Sequence, residues 1–200
     1  MNGAGASIIV VNFDRRYRRG VMTSAQRESR GWALYCQAHT LEQTDPSANE
    51  KHLALYQSAV VHDPELADAW ANLGACFCLR TPTAEEQAFV CFERALSIAP
   101  RHVPALHNRA WLHLERNQPQ QAVIDLWAAL EANERIAYEV QSHVLLAQTL
   151  ESQGDWGSAC DVWEAYLSWL DPEKEAERQG IVQKVNRFRM QEGRPPLRGV

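Results

Sequence analysis

No apolar run in these 200 residues approaches the ~20 that a helix needs to cross a bilayer, so the chain is not expected to be a membrane protein. The segment Ser7-Ile8-Ile9-Val10-Val11 is too short for the apolar core of a signal peptide. It has no basic segment before it and no small-residue cleavage site after it, so a cytoplasmic location is expected. Cysteine is scarce and odd in number: Cys36, Cys76, Cys78, Cys91 and Cys160 are irregularly spaced, unlike a disulfide framework. Cys76-Phe77-Cys78 is the only close pair. It can be read as a metal or redox pair, or as two small apolar residues of a buried helix, where free Cys commonly sits. No second pair and no CxxC accompany it, and a structural zinc normally takes four ligands, so the second reading is preferred and no metal is expected. Gly and Pro, at 10 and 9 residues, are not enriched, so the bulk of the chain is not a low-complexity linker.

Catalytic signatures are missing as well. There is no G-x-S-x-G, Walker loop, G-x-G-x-x-G or H-E-x-x-H. His102, His107 and His113 are close in sequence, but on a helix a spacing of six turns His113 away from His107, so the three cannot converge as ligands. Neither an enzyme activity nor a cofactor is expected. The net charge of −5 is unevenly spread. Residues 1–31 carry six Arg against Asp14 and Glu28, and residues 180–200 carry five cations against Glu192, so each end is +4 and the middle is −13. An acidic body with basic ends argues against a broad nucleic-acid face.

What is present is an internal repeat. Trp70, Leu73, Gly74 and Phe77 are followed by Ala88, Phe92, Ala95 and Pro100. This order resembles the tetratricopeptide signature W-x2-L-G-x2-Y, then A, F, A and P, with two extra residues in the turn. Small residues would sit where helices cross, large ones would fill the space between helices, and Pro100 would end the second helix. Downstream, Leu106, Ala110, His113, Ala122, Leu126, Ala129 and Glu134 fall on the pattern. His143, Leu146, Ala147, Leu150, Ala159, Trp163, Tyr166 and Asp171 follow. Upstream, Trp32, Tyr35, Cys36, His39, Tyr56, Ala59 and Pro64 form a weaker copy with a longer turn. The terminating positions Pro64, Pro100, Glu134 and Asp171 are 36, 34 and 37 residues apart, near the period of about 34.

Helix signals agree independently. Ser47-Ala48-Asn49-Glu50 and Thr83-Ala84-Glu85-Glu86 have the form of capping boxes. Gly154-Asp155 fits a turn that closes one helix and caps the next, and Asp171-Pro172 a cap with Pro in the first turn. Ile181, Val185 and Phe188 form the apolar stripe of a last helix that would cover the exposed end of the final hairpin. The expected organisation is an N-terminal extension over 1–28, a repeat array over 29–172, a capping helix over 173–191 and a flexible tail over 192–200. Within the extension, Ile8–Val11 could form a short strand but has no sheet to join, and Met22 is an alternative start.

The resemblance to the tetratricopeptide family implies an all-α fold: a right-handed superhelix of about four antiparallel helix hairpins with a C-terminal capping helix. It implies that the first helix of each hairpin lines a concave groove that takes a segment of a partner protein. The family's groove positions carry over onto Arg30, Ala33, Gln37 and Thr40, then Asp68, Ala71, Ala75 and Cys78. Next come His107, Trp111, Leu114 and Glu115, then Gln141, Val144, Gln148 and Glu151. Gln37, Asp68, Asn72, His107, Trp111, Glu115, Gln148 and Glu151 are the candidate contacts, with Trp111, His107 and Gln148 foremost. Trp is the type most enriched among binding hot spots, though Trp111 can equally be read as packing on a neighbouring hairpin. The family's carboxylate clamp is not expected, because only Asn72 matches it, while Ala33, Gln37, Pro104 and Asn108 stand at its other positions. The function read from this is a non-catalytic adaptor or assembly factor that binds another protein. The alternatives are a homo-oligomeric scaffold or a regulatory subunit of an enzyme. Deleting residues 172–191 should expose apolar surface on the Trp163 side and lower the melting temperature; unchanged melting would contradict the capping role.

Overall fold

A computed structural model describes residues 29–45, 49–79, 84–132, 138–171 and 173–197, and among these residues every regular element is a helix. In chain order they are α1 (Arg30–Thr44), α2 (Asn49–His62), α3 (Ala67–Cys78), α4 (Glu85–Ile98) and α5 (Val103–Glu115). The remainder are α6 (Pro119–Glu131), α7 (Tyr138–Ser152), α8 (Trp156–Trp169) and α9 (Glu175–Gln191). The expectations for residues 1–28, for the cap residues Ser47 and Thr83 and for Glu134 lie outside the described residues.

Local chemistry sets the helix ends. Ser29 caps α1: its Oγ accepts from the Trp32 N–H at 3.0 Å and donates to Asp63 Oδ2 at 2.9 Å, tying the start of α1 to the end of α2. His102 caps α5, with Nδ1 accepting from the Ala105 N–H at 3.2 Å and Pro104 in the first turn. Gly154 turns the chain after α7 at φ 76°, and Asp155 Oδ1 then accepts from the Ser158 N–H at 3.1 Å to start α8. The last helix starts later than Asp171-Pro172 suggested. Asp171 Oδ1 accepts from the Glu173 N–H at 3.0 Å in a local turn, and α9 begins only at Glu175.

Consecutive helices pack as hairpins, α1 on α2, α3 on α4, α5 on α6 and α7 on α8, and α9 packs on α8. The second helix of each hairpin also meets the first helix of the next, so the hairpins stack in chain order. The first helices touch one another directly, α3 with α5 and α5 with α7. This stacking merges the core into three overlapping clusters along the array. Tyr35, Tyr56, Phe92, Leu112, Leu126, Leu146 and Phe188 are its largest fully buried side chains. Each such side chain contributes about 1.5–3 kcal/mol of transfer free energy.

α9 buries Ile181, Val185 and Phe188 in the final cluster. Lys184 fixes it further: its Nζ lies 3.1 Å from Glu151 Oε1 and 4.6 Å from the Trp163 ring centroid. Residues 194–197, expected in a flexible tail, instead lie on α8 and α9. Gly193, at φ 69°, reverses the chain, and Arg194 then pairs with Asp161 at 2.7 Å.

Hairpin closure depends on the small residue at the crossing. A Cβ placed on Gly74 would lie 2.5 Å from the Phe92 ring, whose own position is fully buried. Gly74→Ala gains at most about 1 kcal/mol of helix propensity. Overpacking a close-packed core costs about 1–3 kcal/mol. A net loss of stability, read as a lower melting temperature, is therefore expected; an unchanged or raised melting temperature would contradict this packing.

Candidate partner-binding face

The first helices α1, α3, α5 and α7 carry all of the sequence-derived candidates, and the structure separates them by burial. Gln37 on α1 and Glu115 at the end of α5 are exposed, while Trp111 on α5 and Gln148 and Glu151 on α7 are half-buried. Asp68, Asn72 and His107 are buried. The physical reason is that each meets a polar group of a neighbouring helix. Asp68 Oδ1 pairs with His102 Nε2 at 2.9 Å. Asn72 Nδ2 donates to Tyr56 Oη at 3.1 Å, and Tyr56 Oη in turn donates to Glu42 Oε2 at 3.0 Å. His107 Nδ1 meets Ser142 Oγ at 3.0 Å. These side chains are therefore placed to join hairpins, where a ligand approaching from solvent does not reach them. Glu151 is also engaged, accepting from Trp163 Nε1 at 2.6 Å besides its pairing with Lys184.

Between α5 and α7 a different surface remains. Trp111, Leu114 and Val144 are half-buried apolar side chains packed on the core clusters, with Glu115 and Gln141 exposed beside them. Trp111 thus packs on the core and keeps part of its surface open. Ala71 and Ala75 on α3 are fully buried, so the middle of the row offers little side chain to solvent.

The titratable groups are arranged for structure. In His102, Nδ1 accepts a backbone N–H, so Nε2 carries the proton given to Asp68, and neither nitrogen is left to act as a base. His113 fills its expected aromatic position by packing edge-on to Phe89, with ring centroids 5.3 Å apart. Asp125 accepts both arms of the Arg109 guanidinium at 2.8 and 2.6 Å, which raises Arg109 above its ordinary pKa. Burial pushes the Cys78 and Cys91 thiols up to about 12, which disfavours the thiolate at neutral pH. Among the described residues, Cys160, Asp161 and Glu164 offer three ligand-type atoms within 4.8 Å of one another. Arg189 and Arg194 already occupy these acids at 2.7 Å.

The sequence reading missed an apolar groove elsewhere on the array. It lies between α2, α3 and α4, with Val60, Trp70, Leu73, Phe77 and Cys91 within it, Val61 and Val90 exposed at its edge, and a volume of about 490 Å³. Ile124 and Trp127 on α6 are exposed as well. The available signal was Val61, Val90 and Ile124 standing on second helices without a packing partner in the repeat pattern.

Comparison with known proteins places the chain by fold. Residues 91–124 match the family model described as a tetratricopeptide repeat. MamA from Desulfovibrio magneticus RS-1 superposes with a TM-score of 0.60 at 14% identity, over 82% of this chain and 85% of that one. YrrB, described as a TPR protein with an unusual peptide-binding site, superposes with a TM-score of 0.59 at 18% identity, over 80% of this chain and 76% of that one. At these identities the likeness shows the fold. Protein FlbA of Caulobacter vibrioides is 28% identical over 120 residues, 60% of this chain. The chain spans 19% of the length of that curated relative.

Two consequences can be measured. His107→Ala leaves Ser142 without its partner inside the α5–α7 contact and should cost about 1–3 kcal/mol of stability; a variant with wild-type melting would contradict the buried bridge. The second concerns alkaline pH. Cys78, Cys91 and Cys160 are pushed up to about 12 from 9.0, and Tyr166 to about 12 from 10.0, by burial first and, in all but Cys91, next by a neighbouring carboxylate. Raised pKa values mean that the folded state holds these protons more tightly. The stabilisation is therefore complete below about pH 9 and is lost as pH rises toward about 12. These groups leave the melting temperature unchanged from neutral pH up to about pH 9 and lower it above that; a rise above about pH 9 would contradict the assignment.

Proposed function

Taking the chain as a tetratricopeptide-repeat protein in motif and fold, we propose that it is a non-catalytic protein–protein interaction module that holds a segment of one partner on the face formed by α1, α3, α5 and α7. The observation that carries this reading is the half-open apolar strip of Trp111, Leu114 and Val144 with polar Glu115, Gln141 and Gln148 around it. An apolar centre with a polar rim is the usual anatomy of a binding patch. Trp111 supplies a large, rigid side chain whose burial is only partly complete, so a partner can gain by covering it. The peptide-binding site ascribed to YrrB supports the same use of this architecture.

A cytoplasmic adaptor or assembly factor is the role that fits a module without its own chemistry. Asp68, Asn72 and His107 then act by holding the face in shape, and Gln37, Trp111, Glu115 and Gln148 are the contacts. Glu151 marks the end of the face, where Lys184 of α9 closes over it. No nucleic acid and no membrane is part of this reading.

The test is affinity capture from the native host with wild type and with Trp111→Ala. The variant should lose the captured partner by about tenfold or more while keeping wild-type helicity. Capture that is unaffected by Trp111→Ala would move the binding face elsewhere. A wild-type preparation that captures nothing and has a mass at a multiple of 22.7 kDa would favour the self-associating scaffold.

A further inference from the structure

The seam between α8 and α9 already contains an extended peptide, and the peptide belongs to the chain itself. Residues 194–197 read Arg-Pro-Pro-Leu. Arg194 Nη1 donates to Asp161 Oδ1 at 2.7 Å, and Nη2 lies 3.5 Å from Glu164 Oε1. The Pro195 carbonyl accepts from Arg189 Nε at 2.6 Å. The Leu197 N–H donates to Asn186 Oδ1 at 2.6 Å, and the Leu197 side chain packs against the final core cluster. Four elements of recognition are therefore present: an acidic pair for a guanidinium, a donor and an acceptor for extended backbone, and an apolar seat. Two adjacent prolines hold the segment extended at little entropic cost, as in other Pro-rich ligands.

From this geometry we propose that the α8–α9 seam is a recognition site for extended Arg-x-x-Leu segments, closed in cis by residues 194–197 and opened by a partner protein that carries such a segment. The site is separate from the face of α1, α3, α5 and α7, and it stands or falls independently of it. Displacement can begin at the ion pair, which lies open to solvent. Asp161 and Arg194 have side chains 63% and 36% exposed, and pairs of that exposure contribute little and are screened by salt. Leu197 is only partly buried. The turn at Glu192-Gly193 also keeps the segment at high local concentration beside its seat. The charge pattern selects the occupant: Asp161 and Glu164 favour a cationic residue, and Arg189, already bound to Glu164, leaves Asp161 as the freer acceptor.

The test uses the 200-residue chain and a fluorescent peptide of residues 191–200. Arg194→Ala with Leu197→Ala empties the seat. This variant should bind the peptide saturably, at least about tenfold more tightly than wild type, and the binding should weaken with salt and weaken further when Asp161→Asn and Glu164→Gln are added. Absence of binding, or equal binding by wild type and the opened variant, would overturn the proposal. A second measurement needs no variant: amide exchange at Leu197 in the isotopically labelled wild-type chain should speed up with excess unlabelled peptide. Unchanged exchange would overturn it, and so would a wild-type dimer in which the Leu197 amide stays protected, which would mean exchange of the segment between copies.

Discussion

The close approach of two helices at a residue with no side chain is the constraint on which the rest of this structure rests. Gly74 lies against the Phe92 ring at a distance no Cβ could occupy, and Gly31 lies against the backbone of Ala59 and Asp63. Ala110 and Ala147, at the equivalent position of the next two hairpins, are fully buried. With the two helices of a hairpin held that near, large side chains such as Phe92, Leu126 and Tyr166 have a fixed space to fill. Each hairpin still has an apolar face that only the next hairpin can cover, and α9 covers the last one.

Stacking also decides what the polar residues do. Asp68–His102 and His107–Ser142 are separated by 34 and 35 residues, one repeat, and so join like faces of successive hairpins. A buried polar group without a partner costs far more than a satisfied one gains, so these bridges penalise any slip of one hairpin along the next. What the bridges leave open on this face is partly covered apolar side chains, Trp111 among them, with exposed Glu115 and Gln141 at the edge.

The fold was legible in the sequence because its constraint is local and repeated. Gly or Ala at the crossing, aromatics at fixed offsets and breakers every 34–37 residues leave a pattern that survives the substitution of His113 for an aromatic or Glu134 for Pro. The candidate face was less legible. A periodic position tells which helix face a residue occupies, but not whether the neighbouring helix comes near enough to bury it. Asp68 and His107 stand at groove positions and are nonetheless sealed, because His102 and Ser142 supply partners one repeat away. The seat of residues 194–197 was hidden for another reason. Its acids on α8 are 33 and 30 residues from its arginine beyond α9, and nothing in Gly-Arg-Pro-Pro-Leu signals docking until the turn at Gly193 brings them together.

The claim that the row of first helices is the working face is tested most directly by photo-crosslinking in the native host. A photoreactive residue would be placed at Trp111 in one strain and, on the outer side, at Ile124 in another. The account predicts a discrete adduct with one other protein from position 111 and none from position 124. An adduct from position 124 alone would put the working surface on the second helices and contradict it.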